Sequence, residues 1–186
     1  MRLFIGIPLA TEVIAGLQRI TNGLQSANDG LRWASPETWH ITLQFLGETS
    51  PEKYACTVAH LREIRSPQVP IWLEGTGFFD RAGVFFAGVN VSPELAVLQK
   101  QVVAATAHCG FIAEQREFHP HVTLARAKGD NRQALRTLKT RTDPKAAFPR
   151  FAALEFLLYE AFLGPGGSRY EIRKRFLLEP QRGGGE

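Results

Sequence analysis

Cysteine is nearly missing from this chain. Two in 186 residues, Cys56 and Cys109, cannot build a disulfide framework, and no metal-ligand spacing surrounds either. The expectation is a pair of reduced, buried thiols in a cytoplasmic protein. Long apolar runs are missing too. The opening MRLFIGIPLATEV holds one arginine and is broken by Pro8 and Glu12, too short and too interrupted for a signal peptide or a membrane span. No membrane partner is expected. Neither a G-x-x-x-x-G-K-[ST] loop nor a G-x-G-x-x-G turn occurs, which argues against a triphosphate site. No composition shift marks a linker, so residues 1–180 read as a single domain. The glycine-rich QRGGGE at 181–186 reads as a disordered tail.

What is present suits a soluble globular fold. Hydrophobic residues make up 44% and charged residues 22%, and thirteen phenylalanines supply core volume. The net charge of +4 is unevenly spread: residues 116–186 hold 14 Lys/Arg against 8 Asp/Glu, whereas residues 1–115 hold 8 against 10. A basic C-terminal part favours an anionic partner such as RNA, although a merely soluble basic surface explains charge equally well.

Periodicity predicts strands and helices in mixture. RLFIGIPL reads as a strand, and TEVIAGLQRITNGLQSA as a helix capped by Thr11. NDG at 28–30 is a turn, and WHITLQFLG a strand. Ser50-Pro51-Glu52 opens a helix through residue 64, and Ser92-Pro93-Glu94 opens another that Gly110 ends. Between these helices, VPIWLEGTGFF and GVFFAGVNV form strands around a turn at Asp80–Gly83. HVTLARA, FAALEFLLYEAFLG and RYEIRKRFLL read as further strands, with NRQALRTLKT a short basic helix. Hairpin junctions with interspersed helices indicate an α+β fold with antiparallel sheets.

The chemistry sits in a repeat. His40-Ile-Thr42-Leu and His121-Val-Thr123-Leu lie 81 residues apart, each on a strand followed by a helix. Residues i and i+2 of a strand share a face, so each histidine stands beside its threonine while Ile41 and Val122 turn toward the core. Displacement at phosphorus needs a base on the attacking oxygen and an acid on the leaving oxygen. Histidine, with an ordinary pKa of ~6.5, serves in either role. Threonine hydroxyls can donate to the non-bridging oxygens, where transition-state charge collects. A single His-x-Thr is more often a half-buried histidine with a bonded neighbour; two copies in matching settings favour function. No metal and no covalent nucleophile is required.

HITLQFLG and HPHVTLAR resemble the two signature motifs of the two-histidine (2H) phosphoesterases. Within them, the flanks RLFIGIPL, LRWASPETWHITLQFLGE and LYEAFLGPGGSRYEIRKRF resemble the bacterial RNA 2′,3′-cyclic phosphodiesterases, also called 2′-5′ RNA ligases. The resemblance implies a bilobal fold: two pseudo-symmetric, interleaved lobes of antiparallel sheet plus helices around a central cleft. It implies opening of a terminal 2′,3′-cyclic phosphate on RNA to a 2′-phosphate, or ATP-independent 2′-5′ joining when a 5′-hydroxyl replaces water. By motif position His40 would be the proton donor and His121 the proton acceptor. Thr42, Thr123 and Arg126 would bind the phosphate. No cofactor and no metal are expected, and the expected state is a monomer acting on RNA or an oligonucleotide. A non-catalytic module recognising RNA ends with the same pocket is the alternative.

Several residues stay open. His119 aligns with Thr38 rather than with a motif histidine, so it is the extra one. A zinc site from His40, His119 and His121 lacks a completing carboxylate or cysteine. Arg126 is out of register with His121 and Thr123, and a bulge would be needed to turn it toward them. Arg169, Arg173 and Arg175 could form an RNA track or a charged edge. Trp33 and Trp39 could stack a base, with core packing favoured. His60 and His108 read as structural or surface residues.

Overall fold

The computed structural model describes residues 1–129, 131–164 and 167–180; the expected tail at 181–186 lies outside them. Ten strands and four α-helices are described. In chain order they are β1 (Arg2–Pro8), α1 (Thr11–Leu24), β2 (Leu31–Trp33), β3 (His40–Glu48), α2 (Pro51–Leu61), β4 (Val69–Ile71), β5 (Leu73–Phe79), β6 (Val84–Val89), α3 (Pro93–Ala107), β7 (His121–Ala127), α4 (Arg132–Lys139), β8 (Phe151–Ala153), β9 (Glu155–Gly164) and β10 (Gly167–Leu177). The fold is α+β, and every strand pair is antiparallel.

Two four-stranded sheets carry the two motifs. One has the order β10-β9-β1-β3 and presents His40 on its edge strand; the other has the order β2-β7-β6-β5 and presents His121 on an inner strand. The chain alternates between them, since β1 and β3 belong to the first sheet and β2 to the second. One continuous core joins both sheets. It includes Ile5, Ile7 and Ile41 from the first, Phe85, Val122 and Leu124 from the second, and Leu95, Leu98 and Val102 from α3. Ile41 and Val122 are fully buried. Each side chain contributes about 1.5–3 kcal/mol by leaving water, which locks the motif strands with histidine and threonine on the other face.

Helix starts follow their local chemistry, with one exception. The hydroxyls of Ser50 and Ser92 accept from the amides of Lys53 and Leu95, and each is followed by proline at the first helical position. Asn131 caps α4 through the Ala134 amide. Thr11, expected to cap α1, is instead its first helical residue. Ala10 takes the cap position with extended backbone and no side-chain bond.

Two long apolar runs each split between sheets. VPIWLEGTGFF breaks at Trp72 into β4 and β5, and FAALEFLLYEAFLG breaks at the exposed Leu154 into β8 and β9. The detached pieces, β4 and β8, pair as a separate two-stranded sheet. The expectation of free thiols is also overturned. Cys56 on α2 and Cys109 just beyond α3 form a disulfide, with Cα atoms 5.8 Å apart across 53 residues of sequence. Side-by-side packing of α2 and α3 brings them together, a long-range contact that spacing does not encode. No helix among the described residues is long and apolar enough to cross a membrane.

Candidate active site

His40 enters its strand from a 3₁₀ turn at Pro36–Thr38, and His121 enters from the His119-Pro120 segment. Both are held in the same way. His40 Nδ1 lies 2.7 Å from the Thr38 carbonyl oxygen, and His121 Nδ1 lies 2.8 Å from the His119 carbonyl oxygen. A carbonyl only accepts, so Nδ1 carries the proton and Nε2 keeps the lone pair in each neutral ring. His40 Nε2 accepts from Thr42 Oγ1 at 3.0 Å. This carbonyl two residues back is the device that fixes both tautomers, and the sequence carries no mark of it.

The strands share a second irregularity. In β3 the register against β1 shifts past Leu43, and in β7 the register against β6 shifts past Leu124. Each bulge falls one residue after the motif threonine. The burial patterns that follow are the same: His40–Phe45 and His121–Arg126 both run from half-buried histidine through two adjacent buried residues to an exposed side chain. The bulge therefore turns the residue five places after each motif histidine toward the cleft. In the second motif that residue is Arg126, which removes the parity objection to it; in the first it is Phe45, 60% exposed and overlooked by motif reading.

His40, Thr42, His121, Thr123 and Arg126 all line one cleft of about 1390 Å³. His119 lines it as well, in edge contact with Phe79 at 5.4 Å between ring centres. Arg32, Arg81, Lys100 and Arg116 add positive charge to the walls, against Asp80, Glu114 and Glu117. The balance favours an anionic ligand. Close packing of β1 beside His40 depends on Gly6, which pairs in register with Thr42. A Cβ there would sit 2.9 Å from the Ile41 carbonyl oxygen and 3.3 Å from His40 Cδ2.

Burial controls the histidine electrostatics. His40 packs against Phe4, with ring centres 4.6 Å apart, and stands edge-on to Tyr170 at 5.2 Å. Desolvation pushes its pKa down to about 4; the Thr38 carbonyl partly opposes this, and charge on His121 adds to it. His121, flanked by Phe79 and Phe86, is also lowered by burial, against the His119 carbonyl and with help from His119 and Arg126. Both rings are thus neutral at pH 7 without a ligand. An anion between them would stabilise the protonated forms. Such a pair can take a proton on one side of a phosphate and give one on the other.

The remaining candidates sort differently. Trp39 is buried core, whereas Trp33 borders the cleft with Nε1 donating to Asp29 at 2.8 Å. On β10 the arginines are engaged: Arg169 with Glu171, Arg173 with Glu160 at 3.5 Å, and Arg175 with Glu155 at 2.5 Å. That pairing favours the charged-edge reading, and Tyr170 is what β10 gives to the wall around His40. His40, His119 and His121 form no metal-ligating cluster among the described residues.

A sheet pair presents two His-x-Thr strands to one cleft, the arrangement expected of a two-histidine phosphoesterase. The family model described as 2'-5' RNA ligase superfamily matches residues 9–160, and the chain belongs to that family. It is 31% identical to an RNA 2',3'-cyclic phosphodiesterase of Thermotoga maritima, covering 92% of each chain. It is 32% identical to the Escherichia coli RNA 2',3'-cyclic phosphodiesterase, covering 95% of this chain and 96% of the other. The structure of E. coli LigT complexed with 3'-AMP is similar with a TM-score of 0.80 at 29% identity, covering 95% and 97%. That of TT0787 from Thermus thermophilus is similar with a TM-score of 0.82 at 26% identity, covering 97% and 100%.

Proposed function

We propose that this protein is an RNA 2′,3′-cyclic phosphodiesterase that opens the cyclic phosphate to a 2′-phosphate by two-histidine acid–base catalysis. The carrying observation is that both imidazoles line one cleft with Nδ1 tied to a carbonyl, so proton transfer falls to each Nε2; His40 Nε2 accepts from Thr42 Oγ1 without a ligand, and protonation of the ring releases that hydroxyl to the phosphate. His121 Nε2 takes a proton from water as the oxygen attacks phosphorus in line. The bond from phosphorus to the 3′ oxygen breaks, and protonated His40 gives its Nε2 proton to that oxygen. Thr42 and Thr123 donate hydroxyl hydrogens to the non-bridging oxygens, and Arg126 balances their charge. With a 5′-hydroxyl in place of water, the same exchange yields a 2′-5′ linkage and consumes no ATP.

The two sheets act in this reading as interleaved lobes of one domain. One chain supplies both histidines, so a monomer suffices. His40→Ala and His121→Ala should each lower hydrolysis of a 2′,3′-cyclic-phosphate-ended RNA at least ~10²-fold, while His119→Ala keeps most of the activity. Activity of disulfide-bonded protein should survive EDTA. Equal inactivation by His119→Ala, or loss in EDTA reversed by zinc, would overturn the reading.

A further inference from the structure

Away from the cleft, α2 and α3 gather thiols and imidazoles that the proposed reaction does not use. Cys56 and His60 are one turn apart on α2 and share a face. Cys109 follows α3, and His108 occupies the C-cap. Both sulfurs and one ring nitrogen of His60 lie within 4.8 Å of one another. The His60 and His108 rings stack with centres 5.0 Å apart. A Glu63 carboxylate oxygen lies 3.6 Å from His60 Nδ1.

We propose that this cluster is a zinc site which alternates with the disulfide. In the reduced protein, Cys56, Cys109 and His60 hold one Zn²⁺, and the exposed His108 or a water completes four ligands. Two thiolates with imidazole form zinc's preferred donor set. In a zinc tetrahedron neighbouring ligand atoms stand about 3.5–3.8 Å apart. The sulfurs reach that separation by side-chain rotation on helices that already set their Cα atoms at 5.8 Å. Glu63 supplies the carboxylate that metal-bound imidazoles commonly engage through their other nitrogen.

The exchange balances. A dithiol reductant gives two electrons and two protons: the S–S bond breaks, two thiols form, and the reductant becomes a disulfide. Zinc binding then releases both thiol protons to solvent. Hydrogen peroxide reverses the change. The two thiolates give two electrons to its O–O bond, two protons are taken up, two waters leave, the disulfide re-forms and Zn²⁺ is released. Either link pins the end of α3, where the segment begins that brings Glu114, Arg116 and Phe118 to the cleft wall.

The test is titration with Zn²⁺ against a chromogenic chelator, using full-length protein reduced by a phosphine under anaerobic conditions and the same protein oxidised. One Zn²⁺ per chain is expected when reduced and none when oxidised, with stoichiometric release on adding peroxide. His60→Ala keeps both cysteines, so disulfide formation by thiol titration should be unchanged while zinc affinity falls at least tenfold. Co²⁺ in the reduced protein should show a sulfur-to-metal charge-transfer band that Cys56→Ser weakens. Equal binding by oxidised and reduced protein, no stoichiometric binding when reduced, or unchanged affinity in His60→Ala would each overturn the proposal.

Discussion

Lowering the pH should turn this enzyme up before it turns it down. Burial of His40 between Phe4 and Tyr170 takes its pKa from 6.5 to about 4. That displacement corresponds to about 3 kcal/mol in favour of the neutral ring. Only about one ligand-free molecule in a thousand carries the His40 proton at pH 7. His121 is lowered for the same reason, so above pH 6.5 both rings lie on the alkaline side of their titrations. The reaction needs one ring protonated, and the cyclic phosphodiester keeps a single charge across this range. Hence kcat/KM, which reports the free enzyme, should rise about tenfold per unit as pH falls from 8 to 6.5. Titration of the His40 ring protons by NMR should give a midpoint near 4 without ligand and a higher one with phosphate bound. Tyr170→Ala, which opens the ring to water, should move the ligand-free midpoint upward. The same depressed value makes His40 a cost at low pH. Its contribution to folding stability is complete above 6.5 and is lost as pH falls from 6.5 through about 4. A ligand-free midpoint near 6.5, or kcat/KM flat between pH 6.5 and 8, would refute this account of the cleft.

Three other perturbations test separate parts of the structure. Gly6→Ala forces a Cβ against the Ile41 carbonyl and His40, and should cost about 1–3 kcal/mol by denaturant unfolding, with kcat falling more than tenfold. Reducing the Cys56–Cys109 bond in a metal-free buffer frees a 53-residue separation and should remove about 4 kcal/mol on a chain-entropy reckoning. Thermal unfolding would then shift down by about 10 °C, and an unchanged Tm would show that α2–α3 packing alone carries the stability. Arg126→Gln, on an exposed position beyond the bulge, should leave unfolding within about 0.5 kcal/mol of wild type. It should lower kcat/KM for the cyclic phosphate at least tenfold, and a normal kcat/KM would remove Arg126 from the site.

Most of the strands, the starts of α2 and α3 and the repeat were legible in the linear chain, because each rests on neighbours; the three-residue β2 at Leu31–Trp33 was not. Alternation put Ile41 and Val122 inward and the motif residues outward, and serine before proline marked α2 and α3. The repeat itself singled out His40 and His121 without any coordinate. What local pattern missed was set by partners distant in sequence. An apolar run looks alike whether it continues in one sheet or changes sheets, so the breaks at Trp72 and Leu154 appear only once β4 finds β8. Thr11 is the first helical residue rather than the cap, so α1 starts one residue earlier on an uncapped Ala10. Cys56 and Cys109 meet because two helices pack, and spacing alone had suggested free thiols.

The site divides the same way. The sequence by itself determined which residues could do the chemistry, since the acid–base capacity of histidine and the period of a strand are local properties. Tertiary structure decided what state those residues occupy. The bulges after Thr42 and Thr123 bring Phe45 and Arg126 into the cleft, and ring packing drives His40 to its neutral form. Desolvation and register are sums over everything that surrounds a side chain, and no stretch of sequence contains its own surroundings.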